Sequence, residues 1–437
     1  MEKTMTEETQ EIISLLKNSP SVFHVVKNIT DKLLANGFIE LDERKPFNIQ
    51  KGKNYFVKRN NSSIIAFKIP SNCHDLSFFG TATHNDSPTY KLKPHPFVKK
   101  GNLTLLDVEP YGGTIHSTWL DRPLSIAGRV FLKKGDKIEE KLLDIHRPLL
   151  IIPNLAIHMN RTINDGYAYN PAIDLLPLFG EDLKEEETFE SFLLQELQES
   201  KDAEILSHDL YLYNFDEPRT FGIKEEFLSS PRLDDLASAY SSLLGFLGAQ
   251  NKEKISLFAS FDNEEVGSLT RQGANSTFFK DTYRRISKAL KGSFEQDIAN
   301  SFLLSIDNAH ANHPNHLDKS DQTTNVLLNK GIVIKSNANQ SYTTDGFGSS
   351  FVKAIAKKGS IPFQEFTNRS DLRGGSTLGN ISNSELSTLS CDVGLPQLAM
   401  HSANETMGLL DLDYMRQFVS LYFGTKVTFE NNSFLID

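Results

Sequence analysis

The order of apolar and polar positions along the chain predicts an α/β protein. Residues 6–37 carry apolar side chains at helical spacing with a break at residues 18–20, so we expect two helices there. Further apolar runs have the length of strands and occur at residues 54–58, 63–68, 76–80, 255–261 and 301–306. Helical patterns recur at residues 233–247, 279–290 and 412–423. This alternation favours a mixed sheet flanked by helices.

The segment between about residues 93 and 217 has a different pattern. Short strand-like stretches and turns dominate it, and residues 181–199 form a charged stretch with helical character. We therefore expect a strand-rich domain that is inserted into the α/β domain. The predicted division is residues 1–92 for the first part of the main domain, 93–217 for the insert and 218–437 for the second part.

The composition is that of a globular protein, with 39% apolar and 23% charged residues among 437. A formal net charge of −10 argues against nucleic acid as a partner, because nucleic-acid binding needs a basic surface. With only Cys73 and Cys391, the chain has no disulfide framework, which favours a reducing compartment. We expect a cytoplasmic protein without membrane contact, since neither a signal-peptide pattern nor an apolar stretch near the ~20 residues of a membrane span is evident.

Two adjacent acids, Glu264 and Glu265, directly follow the apolar run at residues 255–261. Neighbouring residues at a strand end point in different directions, so one acid can bind a metal ion while the other handles a water molecule. An isolated Glu-Glu pair is more often a solvated acidic turn. The other candidate residues decide between these two interpretations.

Side chains that can bind metal also follow other predicted strands or begin helices. They are His84, Asp86, Asp234, Asp307, His310, His313 and His401. Each has a structural alternative, and Asp234, for example, also suits a helix N-cap. Imidazoles and carboxylates without a thiolate suit Zn²⁺, Mn²⁺ or Co²⁺, and this number of ligands exceeds what one zinc ion needs. The residues alone therefore predict a hydrolase with two metal ions that share a bridging carboxylate.

Five segments resemble, in the same order, the motifs of the aspartyl aminopeptidase family. They lie at residues 83–88 (THNDSP), 230–236 (SPRLDDL), 262–268 (DNEEVGS), 305–315 (SIDNAHANHPN) and 400–402 (MHS). Members of this family, which includes the vacuolar aminopeptidase of yeast, are dinuclear zinc exopeptidases. The resemblance implies a zinc-peptidase α/β domain interrupted by a β-rich dimerisation domain, in agreement with the predicted insert.

The resemblance also implies a role for each candidate in the metal centre. The metal ligands would be His84, Asp234, Glu265, Asp307 and His401. Asp234 would bridge two ions, with zinc as the first candidate and manganese or cobalt as alternatives. His84 and Asp307 would complete one metal site, and Glu265 and His401 the other. Glu264 matches the general base, and Asp86 matches an acid that supports the metal ligands.

Four further residues match positions that contact the substrate in the family, namely His158, His310, Lys335 and Tyr342. A lysine at the base of the first side-chain pocket would favour peptides that begin with Asp or Glu, although Lys335 on its own is interpreted as a surface lysine. His158 matches a histidine that reaches into a neighbouring subunit, and the resemblance implies a homo-oligomer, a tetrahedral dodecamer. Asp235 departs from the pattern, because animal members usually have Asn there.

The sequence thus predicts a metalloaminopeptidase that removes single N-terminal residues from peptides. Three alternatives stay open at this point. They are a neutral or broad specificity within the same family, a related two-metal hydrolase with another amide or a glycosidic substrate, and a non-catalytic oligomeric scaffold on this fold. The presence of every proposed ligand and of the base argues against the scaffold.

Overall fold

The computed structural model describes residues 5–73, 76–200, 202–250, 253–372, 374–375, 377–430 and 433–436. Its helices are α1 Glu7–Lys17, α2 Val22–Ala35, α3 Pro171–Asp174, α4 Phe189–Glu196, α5 Leu233–Gly248, α6 Phe278–Ala289, α7 Phe294–Ala299, α8 Gly346–Lys358, α9 Leu378–Leu386 and α10 Leu409–Gly424. Short 3₁₀ helices occupy His116–Trp119, Ile163–Asp165, Glu264–Val266 and Leu317–Lys319. The two predicted N-terminal helices are confirmed. No helix among these described residues is long and apolar enough to cross a membrane.

A nine-stranded mixed sheet forms the centre of the main domain. Its strands are β1 Ile39–Leu41, β2 Asn54–Arg59, β3 Ser63–Lys68, β4 Phe78–His84, β13 Ile255–Phe261, β14 Phe302–Ile306, β16 Ile332–Ser336, β17 Phe363–Thr367 and β18 Leu389–Gly394. They are arranged in the order β1-β2-β3-β13-β4-β14-β18-β16-β17. The central strands β13, β4, β14 and β18 run parallel to one another. Their carboxyl ends therefore meet at one edge of the sheet, where α/β proteins commonly bind ligands.

Helices cover both faces of this sheet. On one face, Phe258 and Leu304 pack with residues of α2, α5, α8 and α10. On the other face, Leu257 and Leu303 pack with residues of α6, α7 and α9. Strands that are buried on both faces have continuous apolar sequences, which explains why the sequence pattern revealed them. The predicted mixed sheet flanked by helices is confirmed.

The insert is built on a six-stranded antiparallel sheet with its own apolar core. Its strands are β5 Thr89–Lys100, β6 Leu103–Tyr111, β7 Leu124–Lys134, β8 Lys137–Asp144, β9 Leu178–Glu181 and β10 Glu204–Asn214, in the order β8-β7-β10-β5-β6-β9. The strand-rich character agrees with the sequence, and the limits at residues 93 and 217 stay a prediction. The prediction of helical character over the whole stretch 181–199 is wrong, because the helix α4 covers only Phe189–Glu196. Thr188 caps its start by accepting the backbone N–H of Ser191 at 3.1 Å.

A third sheet joins distant parts of the chain. Its strands are β11 Arg219–Phe221, β12 Phe227–Ser230, β15 Ala309–His310, β19 Pro396–Leu398 and β20 Glu405–Gly408, in the order β11-β12-β20-β19-β15. A terminal hairpin pairs β21 Val427–Glu430 with β22 Ser433–Ile436. The five-stranded sheet brings the segment after β12 next to the loop between β19 and β20. Both segments carry candidate metal ligands.

Candidate active site

Three of the candidate positions lie at the carboxyl ends of adjacent parallel strands. β4 ends at His84, which is in register with Phe261, the last residue of β13. The turn that follows β13 carries the two glutamates, and Asp307 directly follows β14, the neighbour of β4 on its other side. The parallel register therefore places His84 between the glutamate turn and Asp307. The ends of these adjacent strands therefore bring the candidate residues close together.

The five-stranded sheet delivers the other two candidate ligands. The chain leaves β12 at Ser230 and reaches Asp234 at the start of α5. His401 lies in the loop between β19 and β20, with a left-handed backbone at φ 69°. A residue other than glycine adopts this conformation only when its surroundings hold it there.

The carboxylate of Asp234 stands between two groups of ligands. Its Oδ1 atom lies 3.5 Å from Nε2 of His84, and its Oδ2 atom lies 3.4 Å from Nε2 of His401. His84 Nε2 is also 3.8 Å from Oδ1 of Asp307, while His401 Nε2 is 3.5 Å from Oε2 of Glu265. All five predicted ligands are thus brought together, with one oxygen of Asp234 facing each pair.

These distances suit shared ions better than direct hydrogen bonds. They exceed the usual 2.7–3.2 Å of an N–H···O bond, yet they resemble the separation of about 3.3 Å between two ligands at ~2.0 Å from a tetrahedral zinc ion. Asp234 Oδ1 and Glu265 Oε1 are buried, and neither finds a hydrogen-bond partner in the described part of the chain. His84, Asp234 and Glu265 each offer a ligand atom within 4.8 Å of the others. The residues present therefore fit a metal centre.

The electrostatics of the site point in the same direction. Burial raises the pKa of Glu264 to about 8, and neighbouring aspartates add to the rise. Burial also raises the pKa values of Glu265 and Asp235, again with acidic neighbours. Burial opposes protonation of His84, but the surrounding carboxylates outweigh it and raise the pKa of His84 above its ordinary value. The buried carboxylates of the site outnumber its basic side chains. A divalent cation would compensate for the excess negative charge.

Asp86 lies behind the glutamate turn and orients it. Its two carboxylate oxygens accept the backbone N–H groups of Glu264 and Glu265, each at 3.1 Å. The backbone carbonyl of Asp86 lies 3.1 Å from Nδ1 of His84, so that nitrogen can donate to it while Nε2 faces the other ligands. Asp86 thus contacts three of the predicted site residues.

The insert also contributes to this site, which the sequence did not predict. The hydroxyl of Tyr111, at the end of β6, donates to Asp86 Oδ2 at 2.7 Å. The backbone carbonyl of Gly113 accepts a hydrogen bond from Nδ1 of His401 at 3.0 Å. The Tyr-Gly-Gly turn at residues 111–113 was recognisable in the sequence as a turn, but its spatial neighbours were not.

A pocket of about 360 Å³ opens above the cluster. Its lining includes the five proposed ligands together with Glu264, His310, Lys335, Tyr342, Phe366 and Met400. Nine of the eleven predicted site residues therefore share one pocket. Asp86 lies behind it, and His158 is exposed in a loop of the insert, outside the lining found among the described residues. His313 is exposed in the loop after β15 and is likewise absent from that lining.

Lys335 is not the surface residue that its sequence context suggests. It is 2% exposed, and its Nζ atom donates to the backbone carbonyls of Asp307 at 2.8 Å and Asn308 at 3.2 Å. The ammonium also lies 3.7 Å from Oδ2 of Asp307 and 5.2 Å from the centre of the Tyr342 ring. Burial opposes the charge, but Asp307 outweighs it and raises the pKa of Lys335. A permanent positive charge therefore lies at the wall of the pocket.

Two buried acids beside the proposed ligands make contacts that sequence reasoning did not identify. Asp235 is fully buried, and its Oδ2 atom accepts the backbone N–H of His84 at 3.4 Å. Glu405, at the start of β20, accepts the backbone N–H groups of Asp234 and His401. In the sequence, only its position four residues after His401 could have marked Glu405 as part of the site.

Comparison with known proteins identifies a family for this chain. The family model described as aminopeptidase I zinc metalloprotease (M18) matches residues 15–423. The chain is 43% identical over 424 residues to the probable M18 family aminopeptidase 2 of Clostridium novyi (strain NT), covering 94% of this chain and 98% of that protein.

Solved structures show the same fold over most of the chain. A chain in the cryo-EM structure of the Ape4 and Nbr1 complex has a TM-score of 0.92 at 34% identity, covering 95% of this chain and 85% of that one. The dodecamer of mApe1 from S. cerevisiae has a TM-score of 0.84 at 26% identity, covering 95% and 96%. Because the family model and a closely similar relative both extend over nearly the whole chain, this protein belongs to the M18 family of aminopeptidases.

Proposed function

We propose that this aminopeptidase removes single residues from the N-termini of peptides and uses two divalent metal ions, with zinc as the first candidate. The observation that carries the proposal is the placement of Asp234, whose two oxygens face different histidine–carboxylate pairs. His84 and Asp307 would hold one ion, and Glu265 and His401 the other. When bound, the ions supply Lewis acidity that polarises the scissile carbonyl and lowers the pKa of a water molecule. The same ligands also suit manganese or cobalt.

Glu264 is the residue placed to move the proton. Its side chain lines the pocket beside the proposed ligands, and no hydrogen bond to its carboxylate is found within the described residues. Burial raises its pKa to about 8, while positive charge nearby favours the ionised form that a base needs. Glu264 takes a proton from the attacking water and later gives it to the leaving amine. Such proton transfer contributes about 10²–10⁴-fold to the rate.

Asp86 and His310 support this chemistry in different ways. Asp86 fixes the turn that carries the base by accepting its backbone N–H groups. His310 has an exposed side chain that opens onto the pocket, and partial desolvation there lowers the pKa of its imidazole, which favours the neutral ring. A neutral imidazole can donate a hydrogen bond to the carbonyl oxygen as negative charge develops there.

A preference for an acidic first residue is the first proposal for specificity. The buried ammonium of Lys335 is a cation in the wall of the pocket, beside the ring of Tyr342. A carboxylate on the first side chain of the substrate would be attracted to that charge. Tyr342 would form part of the same subsite.

A neutral first residue is the second candidate, and a specific observation favours it. Two of the three N–H groups of Lys335 are directed at backbone carbonyls, and Asp307 lies 3.7 Å from the same nitrogen. Few donors are therefore left for a substrate carboxylate. Phe366 and Met400 add apolar surface to the pocket.

Homo-oligomer formation is also part of the proposal. The loop region of the insert exposes several large apolar side chains, which are Ile151, Leu155, Ile157, Met159 and Ile173. Exposed apolar clusters of this kind mark contact surfaces. His158 lies within this region, where it could reach the active site of a neighbouring subunit. A tetrahedral dodecamer is supported by the solved dodecamer of the 26% identical mApe1, and a stable monomer in sedimentation would contradict it.

One experiment tests activity, metal use and specificity together. Hydrolysis of aminoacyl-anilides with Asp, Glu, Leu and Lys is measured for the wild type, for chelator-treated protein and for that protein after addition of zinc, manganese or cobalt. We expect activity to vanish on chelation and to return with metal, whereas a non-catalytic scaffold would show no activity in any sample. Faster hydrolysis of Asp and Glu that is lost in Lys335→Met supports the acidic preference, and equal rates for Asp and Leu would contradict it.

A further inference from the structure

Glu405 occupies an unusual position at the junction of two loops that carry proposed metal ligands. It is the first residue of β20 and is 2% exposed. Its partner in the adjacent strand β12 is Ser230, the last residue before the segment that leads to Asp234. On its other side, the loop that carries His401 ends directly at Glu405. The carboxylate therefore lies where both loops can contact it.

The hydrogen bonds of Glu405 connect these two loops. Its Oε2 atom accepts the backbone N–H of Asp234 at 2.9 Å, and its Oε1 atom accepts the backbone N–H of His401 at 2.7 Å. The two oxygens of this side chain can accept hydrogen bonds at the same time, whereas an amide side chain has only one acceptor oxygen. One side chain thus fixes the backbones of two proposed ligands.

The network continues towards a third proposed ligand. The side-chain Nε2 of Gln397 donates to Oε1 of Glu405 at 3.4 Å. The side-chain Oε1 of Gln397 accepts a hydrogen bond from the side-chain Nδ2 of Asn308 at 2.7 Å. The same Asn308 amide nitrogen donates to the backbone carbonyl of Leu233 at 2.8 Å. Asn308 is adjacent in sequence to Asp307. Glu405 therefore anchors a buried network that lies along the backbones of Asp307, Asp234 and His401.

The backbone of His401 shows why such an anchor is needed. Its φ of 69° lies in the left-handed region, which is unfavourable for a residue other than glycine. A short hydrogen bond from its N–H to a buried carboxylate offsets part of that cost. Without it, relaxation of the loop would move the imidazole away from Asp234 and Glu265.

We infer that Glu405 is a positioning residue that holds Asp234 and His401 in their metal-binding geometry. This inference rests on the proposed function, because it assumes that these two residues bind metal. Glu405 would act through these ligands, because both of its oxygens accept backbone N–H groups and it is absent from the pocket lining found among the described residues. Loss of such an orienting partner typically weakens metal binding by 10–100-fold.

The test is zinc affinity, measured by competition with a chromophoric chelator on metal-free protein. Glu405→Gln keeps the size of the side chain but replaces one acceptor by a donor, so one backbone N–H loses its partner. We expect at least one zinc ion to bind 10–100-fold more weakly than in the wild type. Glu405→Asp retains both oxygens on a shorter side chain, and we expect a smaller loss. Excess zinc should restore much of the activity of both variants.

Asp411 provides a matched control. It is also fully buried, and its carboxylate accepts two backbone N–H groups, those of Asn329 at 2.6 Å and Gly331 at 2.8 Å. It holds no proposed ligand. Asp411→Asn should lower the melting temperature of the metal-free protein while leaving zinc affinity unchanged.

The outcomes separate this role from the proposed function. Unchanged zinc affinity in Glu405→Gln would overturn the positioning role and leave the metal centre intact. Equal losses of affinity in Glu405→Gln and Asp411→Asn would also overturn it, because general destabilisation would then explain both. A wild type that binds no zinc, manganese or cobalt would overturn the proposed metal centre, and the role of Glu405 with it.

Discussion

Replacing Glu264 by Gln removes the proposed base and leaves the shape of the side chain unchanged. The backbone N–H of residue 264 still donates to Asp86, since that contact does not involve the side chain. The carboxylate of Glu264 is also absent from the ligand contacts at 3.4–3.8 Å that surround Asp234. We therefore expect Glu264→Gln to bind metal as the wild type does.

The rate of hydrolysis by Glu264→Gln should fall by the whole factor that proton transfer contributes to catalysis. General acid–base catalysis supplies about 10²–10⁴-fold, which corresponds to about 3–5 kcal/mol of activation free energy. The loss should appear in kcat more than in KM, because the base acts in the transition state. The assay is steady-state hydrolysis of an aminoacyl-anilide, combined with metal analysis of the same sample.

The neighbouring residue offers a matched control. Glu265→Gln makes the same chemical change one position later, but Oε2 of Glu265 lies 3.5 Å from Nε2 of His401. We expect this variant to lose both metal and activity, and added zinc to restore part of the activity. Near wild-type rates in Glu264→Gln, or loss of metal from it, would refute the division of roles between the two glutamates.

Three further predictions concern the surroundings of the site and the stability of the fold. Tyr111→Phe removes the hydroxyl that donates to Asp86, so kcat/KM should fall about 10-fold without a change in melting temperature, and an unchanged kcat/KM would contradict this. Burial lowers the pKa of His24 from 6.5 to about 4, because the folded protein favours the neutral imidazole. This preference contributes up to about 3 kcal/mol to the stability of the fold above pH 6.5, and the contribution is lost as the pH falls towards 4. Melting temperatures at pH 7 and pH 5 should therefore differ more for the wild type than for His24→Gln. Leu257→Ala, at a buried position, should cost about 2–5 kcal/mol of stability, whereas Leu269→Ala, at a site that is 78% exposed, should cost little.

The sequence predicted the sheet, and it also pointed to the proposed metal ligands, because both leave local signals. Strands such as 255–261 are buried on both faces and have continuous apolar sequences. Polar residues at their ends, such as His84 and Asp307, then follow from the geometry of parallel strands. Asp234 and His401 were also candidates from the sequence, but they reach the site through a different sheet, and their pairing with the other residues came only from the family resemblance.

Other parts of the site leave no local signal. Tyr111 and Gly113 belong to the insert, and Glu405 acts through backbone contacts with residues that are 171 and 4 positions away. The burial of Lys335 was missed because its neighbours in sequence are compatible with a surface strand end. These roles depend on long-range contacts that only the folded chain displays.

The most direct test of the account is anomalous scattering at the zinc edge from crystals of the zinc-loaded protein. The account predicts two peaks on either side of the Asp234 carboxylate, about 3.5–4 Å apart. One peak should lie beside His84 and Asp307, and the other beside Glu265 and His401, with Glu264 outside both coordination shells. A single peak, or a peak bound by Glu264, would contradict the central claim that Asp234 bridges two ions.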